Sequence, residues 1–163
     1  INGRHYYRNC YMEGDIDFVF GSATAYFESC DFFSKDIGRP VNSYVTAAST
    51  PKGQTYGYVM KDCRFLGDCP PRSAYLGRPW RDYAKTILIN CFMDQHIISQ
   101  GWHDWGKTSA HDTCLFAEYK SFGPGADLGA RPRWVRRLTE TDLPFYSREN
   151  VLCQDDNWQP WNL

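Results

Sequence analysis

A short pattern built on cysteine returns four times along the chain. It reads Tyr7-Arg8-Asn9-Cys10-Tyr11-Met12, Phe27-Glu28-Ser29-Cys30-Asp31-Phe32, Met60-Lys61-Asp62-Cys63-Arg64-Phe65 and Ile89-Asn90-Cys91-Phe92-Met93. A small polar residue precedes each cysteine, and a large apolar side chain follows two positions after it. Cys91 deviates slightly, with Phe92 at once and Met93 next. The intervals between these cysteines are 20, 33 and 28 residues. Repeats of this length belong to solenoids, in which one coil cannot bury its apolar face alone and stacks like residues on like. Short β-rich runs lie between them: Thr24–Phe27, Ser43–Ala47, Tyr56–Met60 and Lys85–Ile89. No long stretch shows helical periodicity. The expected architecture is all-β: a parallel β-helix, with longer loops wherever the interval exceeds one plain coil.

The loops are punctuated by glycine and proline. They are expected over residues 34–42, 48–55, 67–73 and 121–133. Trp134–Leu138 reads as a last strand. Thr139 and Asp142 have the spacing of a helix cap, so a short helix is expected there. Asn150–Leu163 reads as a polar, tryptophan-containing tail packed along the solenoid. No linker divides the chain, so residues 1–163 are expected to form one domain with a tail from about residue 139.

Gly14-Asp15-Ile16-Asp17-Phe18-Val19-Phe20-Gly21 is where this all-β pattern meets chemistry. Ile, Val and Phe favour a strand. Strict alternation puts Ile16, Phe18 and Phe20 on one face and Asp15, Asp17 and Val19 on the other. An acid in mid-strand must face solvent, a cation or a site that uses its charge. Taken alone, a half-buried strand with two solvated acids accounts for the pattern.

Further on, Tyr75-Leu76-Gly77-Arg78-Pro79-Trp80 holds an arginine and a tryptophan between a glycine and a proline, in a fixed turn. Gly101-Trp102-His103-Asp104-Trp105 and Phe116-Ala117-Glu118-Tyr119 follow. Together these stretches resemble the pectin methylesterase, or pectinesterase, family. Its signatures include a G-x-[IV]-D-F-[IV]-F-G strand, an L-G-R-P-W turn, a G-W-x-x-W element and an F-x-E-Y strand. The resemblance is collinear from about residue 4 to about residue 134.

The resemblance implies a right-handed parallel β-helix. It also implies a carboxylic-ester hydrolase that releases methanol from methyl-esterified polygalacturonate without cofactor or metal. It makes Asp17 the nucleophile, which attacks the ester carbonyl to give an acyl-enzyme, and Arg78 its partner. It makes Trp80, Phe20, Tyr44 and Ala47 residues of the substrate cleft. A carboxylate is a weak nucleophile unless it is oriented, and a guanidinium in a fixed turn can hold it by a bidentate pair. The plain alternatives are a structural ion pair between coils and, for the aromatics, ordinary core. Alternation sets Phe20 opposite Asp17, so a bend at Gly21 is expected to bring both to one site. The family's general acid, an Asp preceded by a Gln, and a further oxyanion Gln lie before the nucleophile by more residues than this chain has. The expectation is therefore that N-terminal coils and those groups precede Ile1, and that residues 1–163 alone are inactive. Asp15 cannot replace the acid, because it lies two positions away on the same strand.

The formal charge of −1 argues against a nucleic-acid or membrane-surface role resting on bulk charge. No apolar run is long enough for a transmembrane helix, and no signal-peptide pattern opens the chain. The resemblance implies a secreted, periplasmic or extracellular protein that acts on pectin as a monomer. Ten Phe, eleven Tyr and six Trp suit either core or stacking on sugar rings. Seven cysteines cannot all pair with one another. Cys10 and Cys30 hold matching positions on adjacent coils. They fit either a ladder of free thiols or a disulfide, which the resemblance favours for bacterial members. A zinc site is disfavoured because there is no C-x-x-C pair. His103, Asp104, His111 and Asp112 read as solvated loop residues rather than a metal cluster. Two rival functions share the fold: a non-catalytic pectin-binding β-helix, and a polysaccharide lyase, for which no clustered acids offer a calcium site.

Overall fold

The computed structural model describes residues 1–162. They wind into a parallel β-helix of three sheets. The first coil runs through β1 (Arg4–Arg8), β2 (Tyr11–Gly14) and β3 (Ile16–Gly21). The second runs through β4 (Thr24–Glu28), β5 (Asp31–Ser34) and β6 (Ser43–Ala48). The third runs through β7 (Tyr58–Lys61), β8 (Arg64–Gly67) and β9 (Ala74–Gly77). The fourth has β10 (Lys85–Ile89) and β11 (Phe92–Met93). It reaches the third sheet only through single bridges from Ile97 to Ala74 and from Trp102 to Gly77. β12 (Leu115–Tyr119) and β13 (Arg136–Arg137) complete the first sheet. The sheet orders are β1-β4-β7-β10-β12-β13, β11-β8-β5-β2 and β3-β6-β9.

Tyr11, Asp31, Arg64 and Phe92 share one register on the second sheet. The cysteines just before them therefore stack as the ladder that the repeat implied. The residue before each cysteine turns the corner between sheets. Asn9, Ser29, Asp62 and Asn90 have φ of 54°, 53°, 56° and 53°. In this left-handed region small polar residues are tolerated best, which is the physical reason for the pattern. Each corner N–H donates to the next coil, to Glu28 O, Lys61 O, Ile89 O and Tyr119 O in turn. A fifth corner, Lys120 with φ of 49°, is followed by Ser121 and Phe122. There serine replaces cysteine, so a repeat defined by cysteine misses it.

All seven cysteines are free thiols, and Cys30, Cys63 and Cys91 are buried. Sγ of Cys10, Cys30, Cys63 and Cys91 each donates to the carbonyl two residues earlier, at 3.3–3.5 Å. Between a disulfide and a thiol ladder, the structure has the ladder. Beside it, Phe27 meets Phe32 edge-on at 5.4 Å and Phe32 stacks on Phe65 at 5.5 Å through the core. Each such buried ring stabilises the stack by about 1.5–3 kcal/mol.

Strict alternation across residues 14–21 fails. Between Ile16 and Val19 the register against β6 slips, because Ile16 pairs with Tyr44 but Val19 with Thr46. Asp17 carries a φ of 57°. This is a β-bulge, and its extra residue reverses the faces that follow. Val19 is 5% exposed, in the core, and Phe20 is 41% exposed. Phe20 and Asp17 thus reach one side through a bulge at Asp17, not through a bend at Gly21.

The expected last strand shrinks to the two residues of β13. The expected helix after Thr139 is a 3₁₀ helix over Glu140–Tyr146. At its start Asp142 Oδ2 accepts from Thr139 N at 2.8 Å and from Thr139 Oγ1 at 2.9 Å. A helix the sequence reading missed, α1 (Arg148–Leu152), buries Val151 and Leu152. The tail then folds back on the first coil. Arg4 Nη1 donates to Leu152 O at 2.7 Å, Arg4 pairs with Asp156, and Trp161 meets Tyr6 edge-on at 5.9 Å. Leu163 lies outside the described residues. Among those residues no helix is long and apolar enough to cross a membrane.

Candidate active site

The outer face of the third sheet carries the charged pair. The bulge stands the Asp17 side chain off β3. Hydrogen bonds anchor both ends of that strand: Ser43 Oγ donates to Asp15 O at 2.7 Å, and Tyr58 Oη to Gly21 O at 2.7 Å. Arg78 follows β9 directly. Its N–H donates to Thr46 O at 3.0 Å and that of Trp80 to Ala48 O at 3.1 Å, so the turn rides on β6. Gly77 makes this approach possible. A Cβ there would lie 2.0 Å from Thr46 Oγ1, and that hydroxyl donates to Leu76 O at 2.9 Å.

From these supports Arg78 grips Asp17 with two parallel bonds, Nε to Oδ1 at 2.9 Å and Nη2 to Oδ2 at 2.6 Å. Each side chain is 12% exposed. Aromatic rings cover the guanidinium on Tyr44, 3.9 Å from Cζ, and on Trp105, 4.3 Å away. A cation over a ring face is attracted by its quadrupole, more strongly where water is excluded. Burial holds the Tyr44 phenol above its usual range, so it stays neutral beside the pair.

Phe20 meets Trp80 edge-on at 4.8 Å, and Trp80 lies 5.2 Å from Trp105. Tyr44 stacks on Tyr75 at 5.2 Å, and His103 tilts against both rings. Asp17, Arg78, Trp80, Phe20 and Tyr44 therefore converge on one aromatic-walled groove. Ala47 is the register partner of Phe20 and is wholly buried.

Trp105, Tyr75, His103 and Lys107 also belong to this site and were not singled out for it. The available signal was the G-W-H-D-W stretch, noted as a motif without a role. Lys107 Nζ donates to Pro79 O at 3.2 Å and Trp80 O at 2.8 Å, and lies 4.9 Å from the Trp105 ring.

Behind the groove, Glu118 accepts from Trp102 Nε1 at 2.9 Å and from Arg131 Nε at 2.7 Å. The F-x-E-Y and G-W-x-x-W stretches are thereby tied to one another. Asp104 pairs with His111 at 2.9 Å, and His111 stacks on Trp134. The Gly106 amide and then His111 hold the Asp104 carboxyl below its usual range. Among the described residues no three His, Cys, Asp or Glu side chains gather as a metal site.

The sequence model of the family described as Pectinesterase matches residues 1–152. The chain belongs to the pectinesterase family. It is 33% identical over 161 residues to Pectinesterase 31 of Arabidopsis thaliana, covering 98% of this chain and 49% of that protein. The pectin methylesterase from carrot superposes with a TM-score of 0.84 at 27% identity, over 93% of this chain and 51% of that one. A pectin methylesterase solved in complex with a hexasaccharide superposes with a TM-score of 0.76 at 30% identity, over 97% of this chain and 52% of that one. The chain spans about half the length of these pectinesterase relatives.

Proposed function

We propose that the protein carrying this chain hydrolyses the galacturonate methyl esters of pectin, with Asp17 as nucleophile. The bidentate Arg78–Asp17 pair, opening onto an aromatic groove, is the observation that carries this reading. Arg78 takes one lone pair of each carboxylate oxygen and fixes the plane of the group. A second lone pair of one oxygen then attacks the ester carbonyl carbon. The tetrahedral oxyanion collapses, the C–OCH₃ bond breaks, and methanol leaves with a proton from a general acid. The resulting anhydride is opened by water, which yields the free galacturonate and restores Asp17. Phe20, Trp80 and Trp105 offer ring faces to the pyranose units. Family resemblance assigns the general acid and the oxyanion donors to residues before Ile1. The sugar-bound relative supports an oligosaccharide in the groove. We read the protein as one catalytic domain, secreted and acting as a monomer; pectinesterase relatives from plants and microbes support the secreted part of that reading.

Asp17→Asn tests the assignment, because asparagine tolerates the left-handed backbone that alanine resists. In the full-length protein, methanol release from methylated pectin should fall by roughly a thousandfold or more, with an unchanged unfolding midpoint. Retained activity would remove Asp17 from the chemistry. If the wild-type protein binds methylated pectin and releases no methanol, the non-catalytic binding reading replaces this one. Unsaturated sugar products would point to the lyase.

A further inference from the structure

His103 lies between the two aromatic walls of the groove and bonds to the backbone of one of them. Its own N–H donates to Gly77 O at 3.1 Å, immediately before Arg78. Its ring packs on Tyr44 at 5.7 Å and on Tyr75 at 5.0 Å. Its Nδ1 accepts the backbone N–H of Trp105 at 3.1 Å. Trp105 has a φ of 55°, a left-handed conformation that a tryptophan does not adopt without support. The indole held this way lies against the Arg78 guanidinium, as does the Tyr44 ring.

We propose that His103 is a positioning residue. In its neutral form, with the proton on Nε2, it locks Trp105 over Arg78 and so keeps the guanidinium in the plane that orients Asp17. This rests on the reading of Asp17 and Arg78 as the reacting pair. An acceptor Nδ1 is available only while the imidazole is neutral. When the ring takes a second proton from solvent, Nδ1 becomes a donor facing a donor. The bond to Trp105 N breaks, and the indole loses its tether. Tyr44 and Tyr75 face the ring, with the Arg78 charge beyond Tyr44 and the Asp104 carboxylate next in the chain. Asp104 is itself occupied by Gly106 N at 2.9 Å and by His111. Lys107 Nζ lies 4.9 Å from the Trp105 ring.

The test uses the full-length protein with His103→Ala and His103→Asn. Asparagine Oδ1 can accept the same amide two residues on and does not titrate. His103→Ala should lower kcat for methanol release by about tenfold to a hundredfold near neutral pH, with KM changed far less. His103→Asn should recover most of that loss and keep its kcat at acid pH, where the wild type declines. In ¹⁵N-labelled protein, the Trp105 amide should move with His103 ionisation in the wild type and stay fixed in His103→Asn. Three results would overturn the proposal: wild-type kcat in His103→Ala, an unchanged acid limb in His103→Asn, or a Trp105 amide indifferent to pH. If Asp17→Asn stays active, the reacting pair itself is misassigned. The amide titration still reports whether His103 tethers Trp105.

Discussion

Two of the molecule's arginine–carboxylate pairs, Arg131–Glu118 and Arg78–Asp17, are largely buried, and their surroundings give them different work. Arg131 and Glu118 have side chains 4% and 2% exposed. Every direction around them is used. Arg131 also donates to Ser99 O at 2.6 Å and Gly125 O at 3.3 Å, and Glu118 also accepts from Trp102 Nε1. Arg78 and Asp17 are each 12% exposed. Two rings lie against the guanidinium, and among the described residues the Asp17 carboxylate has Arg78 as its one side-chain partner. A fully saturated pair holds two segments together. A pair held rigid but left open on one side is arranged to react. Burial alone does not separate structure from chemistry; the count of satisfied directions does.

The comparison breaks most sharply at Glu118. Glu118→Ala leaves a buried guanidinium without its counter-charge and a buried indole N–H without an acceptor. The expected cost is about 3–5 kcal/mol in denaturant unfolding, with activity lost only because folding is lost. Asp17→Asn should show the reverse, an inactive protein of ordinary stability. If Glu118→Ala unfolds at the wild-type midpoint, the buried pair is not structural.

A smaller effect is expected at Gly77, which lets the Arg78 turn ride on β6. Gly77→Ala drives a methyl into Thr46 Oγ1, with an overpacking cost of about 1–3 kcal/mol and a displaced Arg78. Adding Thr46→Ala should restore part of both activity and stability, read as a coupling in a double-mutant cycle. Strictly additive losses would show that the contact does not set the turn.

An effect confined to acid pH sharpens the contrast from another side. His96 is 1% exposed, and neither ring nitrogen has a hydrogen-bond partner. Burial pushes its imidazole down to about 4, below the ordinary value of 6.5. The unfolded chain therefore binds the proton first. Stability from this group is present above pH 6.5 and is lost as pH falls through that value toward 4, by roughly 2–3 kcal/mol. Unfolding free energies at pH 7 and 4.5 should differ by that much more in the wild type than in His96→Gln. Equal pH dependence in the two proteins would remove His96 from the account.

Much of the fold was legible because it repeats. A small polar corner, a stacked cysteine and a large apolar side chain two positions on recur in each coil for local reasons. Asn9, Ser29, Asp62 and Asn90 could be read as one class before their common backbone was known. Lys120-Ser121-Phe122 does the same job with different residues, and there the pattern went unread. The short helix at Arg148–Leu152 was missed for a different reason. Five residues carry too little periodicity, and Val151 and Leu152 are buried only because the tail returns to the first coil.

From its own residues the chain determined a stack of parallel coils and placed an aspartate and an arginine on motifs of the pectinesterase family. Only the tertiary structure decided which way the aspartate faces. The bulge at Asp17 exists because β3 must match β6 across a coil, and it reverses every side chain after it. Only the tertiary structure placed Trp105 and His103 against Arg78, since a loop of the fourth coil reaches them there. Corners and stacked side chains follow from short-range backbone sterics that each coil meets again. A site made where four coils touch follows from packing between segments far apart in the chain, and no local pattern records it.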